Sequence, residues 1–176
     1  MKKLIAAASV CLFLLLAACG FKKTSVQKEK LLQMNDDEFY EKMYFYCIDT
    51  VSGVHDVTAS DEEKTLYVLY MLDMEVGNGG LCQFFVNSSS ECAPYVSEAL
   101  EKAGALKIKK LYDDFIAANN IDVNDLSSFK VTDDASYLAQ TQRFDYDGFD
   151  DAFYQVENIR DSIVTYAREH IDRILA

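Results

Sequence analysis

Between residues 113 and 157 the chain carries eleven acidic side chains and only two basic ones, Lys130 and Arg143. The densest of these carboxylates are Asp113, Asp114, Asp133, Asp134, Asp145, Asp147, Asp150 and Asp151. Carboxylates in such number could ligate calcium, perform acid–base catalysis, or present a negative face to a cationic partner. Calcium binding by an EF-hand loop needs oxygen ligands at fixed offsets around a turn glycine. With Gly148 as that glycine, Arg143 takes the first ligand position and Tyr154 the last. A start at Asp145 puts Phe149 and Val156 in ligand places, and a start at Asp122 does the same with Leu126. No regular metal site is expected, and an irregular one around Asp145, Asp147 and Asp150 stays open. Catalysis finds little to use. The only histidines are His55 and His170, neither G-x-S-x-G nor H-E-x-x-H occurs, and no catalytic residue or cofactor is assigned. The expected chemistry is recognition of a basic protein or other cationic partner, with a small hydrolase or cation-dependent enzyme as the alternative.

A second candidate is Gly77-Asn78-Gly79-Gly80, set between apolar runs. A phosphate-cradling loop follows a strand and spaces its glycines as G-x-G-x-x-G. Here the preceding run has helical character and Cys82 stands where the next glycine is required. The stretch reads as a corner between helices, since glycine and asparagine tolerate the left-handed backbone such a bend needs. Glu75, Gln83 and Asn87 are polar in an apolar setting, and are expected to satisfy backbone groups at the two helix ends.

The remaining chain supplies the elements that would position these groups. Lys2 and Lys3, an apolar run from Leu4 to Ala18, and Leu16-Ala17-Ala18-Cys19 have the form of a bacterial lipoprotein signal. Residues 1–18 are expected to be removed and Cys19 acylated, tying the protein to a bilayer on the extracytoplasmic side. Residues 19–34 then form a lysine-bearing tether and residues 35–176 one acidic domain. That mature chain has 158 residues and a net charge of −14. So negative a surface repels nucleic acid and attracts cations. Of Cys47, Cys82 and Cys92, the last two form the simplest disulfide by proximity in sequence.

Helix starts are legible at Asn35-Asp36-Asp37-Glu38 and Ser60-Asp61-Glu62-Glu63. The run from Leu66 to Leu72 is apolar all round, as for a central helix. Further helices are expected over 81–86, 93–103 with Pro94 in its first turn, from Leu106 to near Asn119-Asn120, over 136–144, and as one or two helices over 150–176, with 121–135 as loop and Asp145 to Gly148 as a turn. Tyr44, Tyr67 and Tyr112 are expected at the surface. Sustained alternation is absent, so the fold class is all-α: a single compact multi-helix domain containing a helix–Gly/Asn corner–helix motif.

The segment Tyr70 to Ser90, followed by Ala93 to Ala105, resembles the DNA mimic protein C-terminal domain family, whose signature is E-V-x-N-G-G-x-x-Q-F-F-x-N-S. The matching positions are Glu75, Val76, Asn78, Gly79, Gly80, Gln83, Phe84, Phe85, Asn87 and Ser88. The resemblance implies an all-α fold and a structural role for the motif. It also implies an acidic protein that occupies a DNA-binding protein in place of DNA. The lipobox departs from that role, because a decoy for a transcription factor has little use outside the cytoplasmic membrane.

Overall fold

The computed structural model describes residues 28–176, so Cys19 and the lipobox lie outside the described residues. Helix α1, Lys28–Leu32, leads into α2, Asp36–Thr50, whose start is capped by Asn35 accepting from the Glu38 amide at 2.9 Å. Helix α3, Asp61–Val86, begins in a reciprocal capping box between Ser60 and Glu63. A 3₁₀ segment, Ser88–Tyr95, precedes α4, Val96–Lys102, and α5, Leu106–Ala118. A short 3₁₀ turn, Ser127–Phe129, then α6, Asp134–Thr141, α7, Tyr146–Val156, α8, Ile159–Glu169, and α9, Ile171–Ile174, complete the described residues, which contain no strand. No described helix is long and apolar enough to cross a membrane.

Helix α3 is the axis of the domain. Leu66, Val68, Leu69, Tyr70, Met71, Leu72 and Val76 are all buried on it, and α2, α4, α6, α7, α8 and α9 pack around it. Such a helix is stabilised by burial on every side rather than on one stripe. Helices α7 and α8 instead carry a single apolar stripe each, Tyr146, Phe149 and Phe153 on one and Ile159, Ile163 and Ala167 on the other.

Several boundaries differ from the sequence expectation. The globule starts before residue 35: Leu31 is 1% exposed, and Arg168 donates to the carbonyls of Leu32 and Met34. Thus part of the expected tether is core. Pro94 lies in the 3₁₀ segment, and α4 starts at Val96, because the chain must fold back tightly against α3. The expected turn Asp145 to Gly148 is the first turn of α7, with Asp145 accepting from the Gly148 amide at 3.1 Å. Aspartate favours turns and helix starts for the same reason, its side chain bonding backbone two or three residues on. Tyr112 is not at the surface: it is 2% exposed and donates to the Ala93 carbonyl at 3.0 Å.

Candidate functional site: the helix corner and the acidic face

Helix α3 is broken at Gly79 and Gly80, where the backbone leaves helical geometry. Gly80, at φ +78° and ψ 178°, occupies a region closed to residues with a side chain. A Cβ there would also stand 2.0 Å from Asp150 Oδ2. That close approach has a purpose. The segment restarting at Leu81 has no cap residue of its own, and the Leu81 amide donates to Asp150 Oδ1 at 2.9 Å. Asn78 keeps a negative φ and is exposed, so the left-handed backbone is left to Gly80.

The polar residues of the motif bond to one another across the break. Glu75 is 6% exposed, and its Oε2 accepts from Gln83 Nε2 at 2.7 Å and Asn87 Nδ2 at 2.9 Å. Its Oε1 accepts from Ser89 Oγ at 2.8 Å. The expectation that these side chains cap backbone ends is therefore corrected. Gln83 and Asn87 lie one turn apart on the segment that restarts at Leu81, and the break at Gly79 and Gly80 turns both back onto Glu75. Gly79 leaves room for the Gln83 side chain, since a Cβ there would lie 2.2 Å from Gln83 Oε1. Among the described residues no cation takes part, and three neutral donors hold the carboxylate. Phe84 is fully buried and packs on Phe85, which continues to Phe129.

The eight aspartates divide by what the fold asks of them. Asp113 and Asp114 pair with Lys109 and Lys110 one turn earlier on α5, at 2.8 and 2.5 Å. Asp133 caps α6 by accepting from the Ser136 amide at 2.7 Å, a bond that holds its carboxyl below the usual range. Asp145 caps α7. Asp150 turns inward to the corner; burial raises its carboxyl above the ordinary aspartate range, and Asp147 and Asp151 add to this against the Leu81 bond. Asp134, Asp147 and Asp151 remain exposed, with no hydrogen bond or ion pair from their side chains among the described residues.

Groups outside the expected set also serve the fold. Glu157 Oε1 accepts from the Lys107 and Ile108 amides, each at 2.8 Å, and so caps α5 from the far end of α7. Ala105, ahead of α5, has no side chain able to cap it, and that lack was the available signal. Helix α7 thus supplies one carboxylate to the corner and another, just past its end, to α5. Asp73, 9% exposed, accepts from the Tyr40 hydroxyl and stands 3.5 Å from Arg160 Nε, whose guanidinium covers the Tyr40 ring. The expected Cys82–Cys92 bridge is absent: Cys47, Cys82 and Cys92 are free and buried. Cys82 lies beside the buried Tyr146 hydroxyl, which makes no hydrogen bond of ordinary geometry among the described residues, whereas Cys92 lies near Cys47 and Tyr67. His55 stands edge-on to Tyr95 and His170 packs on Tyr166. Among the described residues no group of three or more His, Cys, Asp or Glu side chains is placed to hold a metal ion.

A family model described as DMP19-like protein matches residues 58–170, a span that takes in the corner, its glutamate brace and the whole acidic segment. No curated protein and no solved structure matches the chain. With well over half of its length matched and its motif accounted for, the chain belongs to the DMP19-like protein family.

Proposed function

We propose that the chain is an extracytoplasmic lipoprotein, anchored through acylated Cys19, whose acidic helical domain binds a basic protein surface without catalysing a reaction. The observation that carries this reading is the uncompensated charge of Asp134, Asp147 and Asp151. The two bases of that segment do not neutralise it: among the described residues neither Lys130 nor Arg143 forms an ion pair, and Arg143 is committed to Ser128 and to the rings of Phe129 and Phe144. Exposed carboxylates without counterions raise association rates with cationic partners and make binding salt-dependent.

Membership of the DMP19-like family favours a second reading, in which the same carboxylates stand in for phosphates and occupy a DNA-binding protein. The two readings share a face and differ in compartment and partner. One experiment addresses both: capture of partners by the full chain at rising ionic strength, comparing wild type with Asp134→Asn, Asp147→Asn and Asp151→Asn combined. Loss of capture in the triple variant, and steep weakening with salt, is expected. Equal capture by both proteins removes this face from consideration. Displacement of the captured partner by duplex DNA selects the DNA-mimic reading. Retention of a Cys19→Ser variant in the membrane fraction would overturn the anchor.

A further inference from the structure

Two stretches of the acidic segment share one pattern, Asp133-Asp134-Ala135-Ser136-Tyr137 and Asp150-Asp151-Ala152-Phe153-Tyr154. The first aspartate of each serves the fold: Asp133 caps α6, and Asp150 accepts from the Leu81 amide. The second, Asp134 or Asp151, is exposed and has no ion-pair partner among the described residues. The tyrosine three residues on shares its helix face, 40% exposed at Tyr137 and 61% at Tyr154. Tyr154 is fixed as well as exposed, since its hydroxyl donates to the Val76 carbonyl at 3.0 Å. Among the described residues no cation lies over either ring. Elsewhere the molecule holds the same arrangement filled. Asp36 and Phe39 are also three residues apart, and Asp36 is the first residue of α2 as Asp134 is of α6. The Arg168 guanidinium lies 4.2 Å over the Phe39 ring and donates to Asp36 Oδ1 at 2.9 Å.

We propose that Asp134 with Tyr137, and Asp151 with Tyr154, each dock an arginine side chain of a protein partner. A planar guanidinium meets both groups at once: its face stacks on the ring while its edge donates to the carboxylate. The ammonium of lysine is a compact, strongly hydrated point charge with no plane to stack. The inference rests on the acidic-face reading and adds the chemistry of the partner, a basic segment that carries arginine rather than lysine. Carboxylates acting by charge alone, as stand-ins for phosphates, would take either.

Fluorescence anisotropy of labelled octa-arginine and octa-lysine, titrated with the full chain in non-ionic detergent at low ionic strength, tests it. Octa-arginine is expected to bind at least about fivefold more tightly, the weight of an exposed cation–ring contact. Tyr137→Leu combined with Tyr154→Leu should remove that preference and leave octa-lysine binding unchanged. Tyr137→Phe combined with Tyr154→Phe keeps both rings and should keep the preference. If the double leucine variant fails to fold, Tyr137→Leu alone, on a helix with no buried residue, should already reduce it. Equal binding of the two peptides to wild type, or survival of the full preference in the leucine variants, overturns this inference and leaves the acidic face standing. Binding of neither peptide overturns both.

Discussion

Asp150 offers a direct contrast between a residue that caps and a residue that binds. Its Oδ1 accepts the Leu81 amide at 2.9 Å, and the site is partly buried against the Gly80 backbone. Asp150→Ala leaves that amide without a partner. Loss of a helix cap costs about 0.5–2 kcal/mol, and an unsatisfied buried donor about 1–3 kcal/mol. A net loss of about 2 kcal/mol is expected. For a domain of this size that lowers the melting temperature by roughly 4–8 °C. Asp150→Asn should behave differently, because an amide oxygen still accepts from Leu81 while the charge is gone. Burial and the nearby Asp147 and Asp151 raise the folded carboxyl above its unfolded value. The native state therefore binds the proton more tightly than the unfolded chain does. This group's contribution to stability consequently falls as pH rises from the ordinary aspartate range of about 3.9 through the folded value. At neutral pH the asparagine variant should match wild type or exceed it, and the advantage should vanish in acid. Thermal melts followed by helical circular dichroism at pH 7 and in acid would measure both effects. If asparagine and alanine destabilise equally, or alanine costs nothing, the capping argument is wrong.

The remaining expectations follow from the same geometry. Gly80→Ala meets both a forbidden backbone region and Asp150 Oδ2 at 2.0 Å, so urea denaturation should show a loss of at least about 2 kcal/mol. Glu75→Ala strands three donors, of which Ser89 is buried, and should cost about 2–3 kcal/mol by urea titration. Glu75→Gln should stay within about 1 kcal/mol of wild type, because its oxygen can accept from Gln83 and Asn87 while its amide donates to Ser89, whose hydroxyl then turns to the Phe84 carbonyl. Burial pushes the Cys92 thiol up to about 12 and that of Cys47 well above its ordinary range. Both should resist thiol reagents at pH 8 until the protein is unfolded, and rapid labelling of the native protein would contradict their placement.

Much of the architecture is legible in the sequence because it depends on local patterns. Asn35 and Ser60 announce α2 and α3 through bonds made within three residues, and the apolar run on α3 announces its central place. The break at Asn78-Gly79-Gly80 is legible for the same reason, a run of residues suited to leaving a helix. The acidic segment is legible as composition, but composition does not say which carboxylates are free.

That division is decided in three dimensions. Asp150 and Leu81 are 69 residues apart, Glu157 and Lys107 50 apart, and the chain around Lys107 shows only that a cap is missing, not which carboxylate supplies it. Whether an aspartate is a cap, an ion-pair member or an open charge depends on which amide or ammonium packing brings within hydrogen-bond reach, and a carboxylate responds to that distance rather than to its neighbours in sequence. The sequence by itself determined an all-helical chain, the starts of α2 and α3, the corner and a large negative charge. Only the tertiary structure separated the carboxylates that hold the domain together from Asp134, Asp147 and Asp151, which face solvent unclaimed, because helix ends separated by dozens of residues become partners only once the chain has closed around α3.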